Sequence, residues 1–193
     1  GLGDVYKRQP LLVPFVVIGL IGVAGAGGLL LTQGYRMERI TVWLDPAASE
    51  KGHQTIQGLY AIGSGGLFGK GLGQSMQKLG FLPEANNDMI FSVICEELGL
   101  FGALCVLALF FALIWRFMVI AVNAPDLYGS MIVVGVIAHI GIQVFINIAV
   151  ATNTIPNTGI PLPFISYGGS SLVFMLLEMG LVLSVSRYIN VKK

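Results

Sequence analysis

Charged residues are scarce in this sequence. Asp, Glu, Lys and Arg make up 11% of the 193 residues, against roughly 25% in an ordinary soluble domain. The 51 positions from 127 to 177 contain none of the four. A water-soluble surface needs more charge than this, so the composition predicts a protein that spans a membrane several times.

Cysteine is also rare, and the net charge is close to zero. Cys95 and Cys105 lie ten positions apart in one apolar stretch, so they support neither a disulfide framework nor a zinc site. We expect both to be small buried hydrophobic residues. The formal net charge of +1 provides no basic surface for nucleic acid, which excludes that class of partner.

Long apolar runs are what the sequence has in abundance. Four of them are long enough to cross a hydrocarbon core of about 30 Å at about 1.5 Å per residue. They predict transmembrane helices near residues 10–33, 88–115, 127–151 and 168–187. The fold class is therefore an all-α integral membrane protein with four spans. Residues 1–9 resemble nothing that follows, and we interpret them as a non-native leader.

A large polar loop, residues 34–87, separates the first two predicted helices. It contains apolar residues at helical spacing, such as Ile56, Leu59 and Tyr60, which predicts that it folds back onto the membrane surface. An even number of spans puts both termini on one side. Lys and Arg in the short connectors favour the cytoplasmic side for the termini, although the loop itself holds five such residues.

The glycine-rich segment 63–73 is similar to a phosphate-binding loop but fails its pattern. Lys70 is followed by Gly71, where the pattern requires Ser or Thr. We expect these glycines to permit tight turns against lipid or neighbouring helices. An alternative stays open, in which backbone N–H groups of this segment bind a lipid-linked phosphate.

Asp88 lies where the polar loop gives way to an apolar helix. A carboxylate at this boundary can act as a general base on a lipid-borne substrate. The structural alternative is that Asp88 caps the N-terminus of the helix. Glu84, four residues earlier, either shares such a site or is a solvated loop charge.

Three further carboxylates lie inside predicted membrane helices. Burying a carboxylate in a membrane is costly, so we expect Glu96, Glu97 and Glu178 to be structural acids, each bound to a partner. His139 and Gln143 on the third helix are the candidate partners of Glu178.

Several motifs occur in one order along the chain. They are Ala61-Ile62-Gly63-Ser64-Gly65-Gly66, Gln77-Lys78, Leu82-Pro83-Glu84, Asn87-Asp88-Met89-Ile90-Phe91, Glu96-Glu97-Leu98-Gly99 and the run from Gly159 to Ser171. Together they resemble the SEDS (shape, elongation, division and sporulation) family, whose members include FtsW and RodA. Gln77-Lys78 and Asn87-Asp88-Met89 are more similar to FtsW or its sporulation relative than to RodA.

The resemblance implies that this chain is the C-terminal half of a peptidoglycan glycosyltransferase. Such an enzyme polymerises lipid II into glycan strands at the bacterial cytoplasmic membrane, here during cell division or septum synthesis. The loop 34–87 would be extracytoplasmic and the C-terminus cytoplasmic. The implied partners are lipid II and the growing lipid-linked glycan, a class B penicillin-binding protein, other division proteins and membrane lipids, without nucleic acid.

The family's essential acid falls on Asp88, which is preceded by Asn87 where many members have Thr. Asp88 is therefore the predicted catalytic base for the incoming sugar hydroxyl. A divalent cation, Mg²⁺ or Mn²⁺, bound near Asp88 is expected to replace or assist positively charged residues at the departing pyrophosphate. The predicted substrate-binding residues are Arg36, Arg39, Lys70, Lys78, Glu84, Ser166 and Ser170.

Two other functions remain open at this point. A lipid II flippase or transporter is suggested by Glu178 in the membrane and by the proline-rich segment 152–167. A non-catalytic scaffold would only bind a penicillin-binding protein. A transporter needs its decisive polar residues at mid-membrane, whereas Asp88 lies at the edge of its helix.

Overall fold

The computed structural model describes residues 16–22, 34–49, 52–77, 82–83 and 85–189. Residues 16–22 form a short helical segment. The rest of the predicted first span and residues 1–9 lie outside the described residues. The longer helices are α1 (Gly34–Leu44), α2 (His53–Gly65), α3 (Ile90–Val122), α4 (Leu127–Ala151) and α5 (Gly169–Arg187), with a 3-10 turn at Pro46–Ala48. In the described part of the chain every regular element is helical, so the all-α prediction is confirmed.

Three of these helices, α3, α4 and α5, are long and apolar enough to cross a membrane. Helix α4 has the predicted bounds, and α5 begins one residue later than predicted. Helix α3 continues to Val122, so the predicted end at residue 115 was wrong. Arg116 does not stop the helix, because a long basic side chain near a helix end can extend its charge towards the interface. Only residues 16–22 of the remaining predicted span, 10–33, are described, so the total of four spans stays a prediction.

The connections between these helices follow from local sequence. Asp126 caps α4, since its Oδ1 atom accepts a hydrogen bond from the Gly129 N–H at 3.3 Å. This cap marks the start of α4. The short turn 123–126 joins α3 to α4, and the two helices are neighbours. Residues 152–168, which we call the connector, contain three prolines and form no regular helix, as expected.

The membrane helices pack through a narrow apolar stripe. On α3 the buried positions Ala103, Phe110 and Phe117 recur every seven residues and belong to one cluster with buried side chains of α4 and α5. Cys95 is buried, but Cys105 is exposed, so the expectation that both cysteines are buried was wrong for Cys105. Position 105 lies two residues from the stripe, which turns its side chain to another face of the helix.

Helix α3 is interrupted at Gly99, whose φ of 67° and ψ of −165° are not helical. This left-handed φ is readily adopted only by glycine. A Cβ atom on Gly99 would collide with the backbone of Gly69 and Leu67. Gly99 therefore permits the loop 66–71, which follows α2, to lie directly against the broken helix.

The loop 66–71 supplies the hydrogen bonds that the broken helix has lost. The N–H groups of Lys70 and Gly71 donate to the carbonyl oxygens of Glu96 and Glu97, both at 2.9 Å. Two further bonds run in the opposite direction, from the Leu100 N–H to the Gly66 carbonyl and from the Phe101 N–H to the Leu67 carbonyl. Backbone groups in an apolar segment need such partners. These two N–H groups are thus committed to α3 and do not bind a phosphate. Phosphate binding by other N–H groups of the segment 63–73 stays a prediction.

Candidate functional site

Asp88 lies in the turn 85–89 immediately before α3, and only 7% of the residue is exposed. The capping position of α3 is Met89, whose side chain makes no capping hydrogen bond. The Oδ1 atom of Asp88 instead accepts a hydrogen bond from the side-chain amide of Gln54 on α2, at 3.4 Å. The capping alternative for Asp88 is therefore not what the structure shows.

The backbone of Asp88 is fixed by Asn147, a fully buried residue of α4. The Asn147 side-chain nitrogen donates to the carbonyl of Asp88 at 2.8 Å and to the carbonyl of Ile160 at 2.9 Å. One amide thus ties the turn 85–89 to the connector. The hydrogen bond to the Asp88 carbonyl is buried, so losing this donor would destabilise the turn 85–89.

Ser166 braces the same turn from the connector. Its hydroxyl donates to the Asn87 carbonyl at 2.6 Å and accepts from the Leu162 N–H at 2.7 Å. The Tyr167 N–H adds a bond to the Asn86 carbonyl at 2.8 Å. The structure therefore brings Ser166 to the Asp88 turn, where its hydroxyl already holds backbone groups.

A cavity of about 490 Å³ opens beside this turn, and we call it the connector cavity. Its lining includes Asn86, Phe164, Ser166 and Tyr167. Phe164 has a φ of 63°, which is strained for a bulky residue. Strain of this kind concentrates at functional sites, and here it shapes one wall of a ligand-sized cavity.

On its other side, Asp88 is connected to α1 by a path of hydrogen bonds. The Asn157 side-chain nitrogen donates to the Gln54 side-chain oxygen at 3.1 Å. Arg39 in turn donates from Nη1 to the Asn157 carbonyl at 2.8 Å. Arg39 is the predicted substrate-binding cation that this path links to Asp88. The side chain of Arg36 and the residues Lys78 and Glu84 lie outside the described part of the structure.

Lys70 has a different partner. Its Nζ atom lies 2.7 Å from the Oε1 atom of Glu96, whose side chain is completely buried. The Ser75 hydroxyl also donates to Glu96, and the Gly73 N–H donates to Glu97 at 3.0 Å. The prediction that Glu96 and Glu97 have structural partners is therefore confirmed.

Glu178 also has the expected kind of partner, since its Oε1 atom lies 2.7 Å from Nδ1 of His139. The pair lines a cavity of about 360 Å³ between α4 and α5, together with Gln143 and Ser170. Ser170, a predicted substrate-binding residue, is thus placed with Glu178 in this second cavity. The other predicted hydroxyl, Ser166, lies at the Asp88 turn.

The divalent cation expected near Asp88 needs oxygen or nitrogen donor atoms from nearby groups. Among the residues that the structure describes, no group of three His, Cys, Asp or Glu side chains is arranged to hold a metal. Mg²⁺ in many enzymes is held by one or two carboxylates together with substrate phosphates. Asp88 fits a site of that kind, in which phosphate oxygens complete the coordination.

Sequence reasoning missed Gln54, Asn157 and Trp43. Gln54 contacts Asp88 across 34 positions, and the Trp43 indole N–H donates to the Asn153 carbonyl, 110 positions away, at 2.9 Å. No local pattern identifies such partners. Their one signal was chemical, because partly buried amide and indole side chains need hydrogen-bond partners.

The sequence profile of the FtsW, RodA and SpoVE family, described as a cell cycle protein, matches residues 8–191. The chain belongs to this family. The SEDS resemblance of the motifs is thereby confirmed, and the chain is part of a multi-pass membrane protein.

Among curated proteins, the chain is 56% identical over 178 residues to stage V sporulation protein E of Bacillus subtilis, covering 90% of this chain and 48% of that protein. It is 43% identical over 171 residues to the probable peptidoglycan glycosyltransferase FtsW of a Geobacter species, covering 88% and 47%. This SEDS chain spans about half the length of the curated relatives it matches.

Solved structures show the same relationship. A chain from a peptidoglycan synthase complex that coordinates polymerisation and crosslinking matches with a TM-score of 0.68 and 29% identity, covering 96% of this chain and 51% of that chain. The rod-shape-determining protein RodA of Thermus thermophilus matches with a TM-score of 0.52 and 38% identity, covering 68% and 39%. The helical arrangement is therefore that of SEDS membrane proteins.

Proposed function

We propose that this chain is the C-terminal half of a SEDS peptidoglycan glycosyltransferase, which polymerises lipid II into glycan strands during cell division or septum synthesis. Several relatives are named probable peptidoglycan glycosyltransferases, which supports this activity. The structural observation that carries the proposal is Asp88. It is a nearly buried carboxylate at the end of an apolar helix, and amides from two other helices hold its side chain and backbone.

In the proposed reaction the Asp88 carboxylate is the general base. It accepts the proton of the acceptor sugar's 4-hydroxyl while that oxygen forms a bond to C1 of the donor sugar. The bond between C1 and the pyrophosphate oxygen breaks, and the prenyl pyrophosphate leaves with the electron pair. The hydrogen bond from Gln54 orients the carboxylate for this proton transfer.

Positive charge is needed where the pyrophosphate departs. Arg36 and Lys78 are the proposed sources, with Glu84 as a further substrate-binding residue of the same loop. Lys70 is better explained as a structural cation, because it is bound to buried Glu96. Mg²⁺ or Mn²⁺ held by Asp88 and substrate phosphates would supply additional positive charge.

The remaining substrate-binding proposals rest on position. Arg39 is supported by its hydrogen-bond path to Asp88 through Asn157 and Gln54. Ser166 is supported by the connector cavity, which is large enough for part of a lipid-linked sugar. Ser170 has weaker support, since it lines the cavity that contains Glu178.

We also infer the setting in which this chemistry occurs. The protein lies in the bacterial cytoplasmic membrane, with residues 34–87 outside and the C-terminus in the cytoplasm. Its proposed partners are lipid II, the growing glycan, membrane lipids, a class B penicillin-binding protein and other division proteins. The resemblance of one solved neighbour, which is part of a peptidoglycan synthase complex, supports assembly with a crosslinking enzyme.

A lipid II transporter is the second candidate, and the ion-pair geometry of His139 and Glu178 beside a cavity within the apolar helices favours it. Asp88 favours the polymerase, because its carboxylate lies at a helix end rather than midway along a span. A non-catalytic scaffold would not require an oriented, nearly buried carboxylate at that place.

The deciding experiment replaces Asp88 by Asn in the full-length protein that contains this chain. Asn has the same size and can still accept the hydrogen bond from Gln54, but it cannot act as the base. General-base catalysis contributes about 10²–10⁴-fold, so lipid II polymerisation in vitro should fall by that factor. Asp126→Asn is the matched control, since Asn caps a helix about as well as Asp and polymerisation should be unchanged.

Polymerisation at the wild-type rate by the Asp88→Asn protein would remove the catalytic assignment. Normal polymerisation together with failed movement of lipid II across vesicle membranes would favour the transporter. Normal rates of both processes, with lost binding of a penicillin-binding protein, would favour the scaffold.

A further inference from the structure

A second, smaller cavity lies on the α1 side of the Asp88 turn. It has a volume of about 170 Å³ and lies between α1, α2 and the connector. We call it the amide cavity, after the side chains of Gln54, Asn153 and Asn157 that line it together with Trp43 and Thr55. Each of these residues is half-buried, and the cavity is partly open to solvent.

The lining combines an aromatic ring with several amide and hydroxyl groups. The Trp43 ring is held in place because its N–H donates to the Asn153 carbonyl at 2.9 Å. Asn157 and Gln54 are held by their mutual hydrogen bond at 3.1 Å. A fixed aromatic surface with a few convergent polar groups is typical of small-molecule sites. It suits a ring that has an apolar face and hydrogen-bonding substituents at its edge, as a sugar has.

The charge and the size of the cavity further restrict the kind of ligand that it can bind. Its lining contains one acid, Glu38, and one base, Arg39, so the formal charges cancel. This balance suits a neutral ring better than a pyrophosphate. Its volume of about 170 Å³ is below the roughly 300–1,000 Å³ of pockets for drug-sized ligands, so a single ring fits it better than a disaccharide.

Gln54 connects this cavity to the reaction proposed for Asp88. The same side chain lines the cavity and donates to the Asp88 carboxylate. Asp88 itself is not part of the lining. A ring in the amide cavity would therefore lie beside the reacting sugar, separated from the base by one side chain.

We propose that the amide cavity is a subsite for a neutral N-acetylated sugar ring of the glycan, adjacent to the ring that reacts at Asp88. This inference rests on the proposed function and names part of its substrate path. The Trp43 ring packs against the apolar face of the sugar. The amides of Gln54 and Asn157 and the Thr55 hydroxyl bind its hydroxyl and N-acetyl groups. Holding the neighbouring ring keeps a growing strand in place between additions.

The test measures binding and product length in the full-length protein. The binding probe is a soluble N-acetylated disaccharide, added to the Asp88→Asn protein so that no reaction occurs. Trp43→Ala should weaken binding at least about tenfold, and Trp43→Phe should restore most of it, because an aromatic side chain that the ligand covers is a typical energetic hot spot. In the otherwise unaltered enzyme, Trp43→Ala should also give shorter glycan strands.

Two controls keep the result interpretable. Trp115→Ala removes the other tryptophan of this chain, which is exposed on α3, and should change neither binding nor strand length. Thr55→Val preserves the side-chain shape and removes one hydroxyl, so it should weaken binding even if Trp43→Ala fails to fold.

The outcomes distinguish failure of the sugar subsite from failure of the proposed polymerase function. If the unaltered protein makes no glycan, the polymerase function fails. If it makes glycan, but the Trp43 and Thr55 variants bind the disaccharide and produce strands like the unaltered protein, the sugar subsite fails. Displacement of the disaccharide by equimolar inorganic pyrophosphate would also overturn the subsite, since the cavity would then bind anions.

Discussion

The ammonium group of Lys70 lies 2.7 Å from the carboxylate of Glu96, whose side chain has no solvent exposure. Lys70 lies in the loop 66–71 that fills the break in α3, and Glu96 lies three residues before Gly99. The ion pair and the backbone hydrogen bonds therefore fasten α2 and its loop to the same point of α3. This point lies eight residues along the chain from Asp88, at the opposite end of the first α3 segment.

Lys70→Met should destabilise the full-length protein, because it leaves the buried Glu96 carboxylate without its cation. Breaking a fully buried ion pair typically costs about 3–5 kcal/mol. The cost should be smaller here, because the Lys70 side chain is 37% exposed and Ser75 still donates to Glu96. Thermal unfolding in detergent would show the loss, and the double variant Lys70→Met/Glu96→Met should recover part of it. An unchanged unfolding temperature with a raised KM for lipid II would instead make Lys70 a substrate-binding residue.

Gly99→Ala should disrupt the junction between α3 and the loop 66–71. The new Cβ would meet the backbone of Gly69 and Leu67 and would force a positive φ on alanine, at a cost of at least about 2 kcal/mol. Gly180→Ala is the matched control, since a Cβ at that position on α5 meets no atom within 4 Å. Comparable unfolding temperatures for the two variants would contradict this account of the break.

Glu178→Gln should retain most polymerase activity, because a glutamine can still form a hydrogen bond with His139. Glu178→Leu removes that partner and should lower the free energy of unfolding by about 0.5–1.5 kcal/mol, since His139 is itself exposed. Unfolding and lipid II polymerisation are measured on the same preparations. Complete loss of polymerisation by a normally folded Glu178→Gln protein would show that Glu178 has a direct role in activity.

Cysteines introduced singly at Ser64 and Asn123 should differ in labelling by an impermeant maleimide on intact spheroplasts. Both positions are exposed, and they lie in segments proposed to be on opposite sides of the membrane. In a background without native cysteines, we expect labelling at position 64 and not at position 123. The reverse pattern would overturn the proposed topology.

The prediction of the fold succeeded where its signals are local. Helix α4 has the predicted bounds because an uncharged apolar run follows a capping aspartate, Asp126. The broken helix at Gly99 was not predicted, since no proline lies in this helix and a single glycine is tolerated within a helical pattern. Only contact with the loop 66–71 makes the positive φ of Gly99 necessary.

Part of the candidate site could likewise be predicted from the sequence, and part could not. The boundary position of Asp88 and the need of Glu96 for a partner follow from the cost of a carboxylate in an apolar helix. The identity of that partner did not follow, because Lys70 lies 26 positions away and was expected to bind substrate. Solvation physics predicts that a buried charge is paired, but not which residue pairs with it.

The sequence by itself therefore determined the membrane class of this protein, the bounds of α4 and the place of Asp88 at a helix end. Hydropathy and helix capping act over a few neighbouring residues, so they can be read along the chain. Only the tertiary structure decided what surrounds Asp88. Gln54 reaches its carboxylate across 34 positions, and Asn147 reaches its carbonyl across 59. Such contacts exist because helix packing brings distant segments together, and no local preference specifies them.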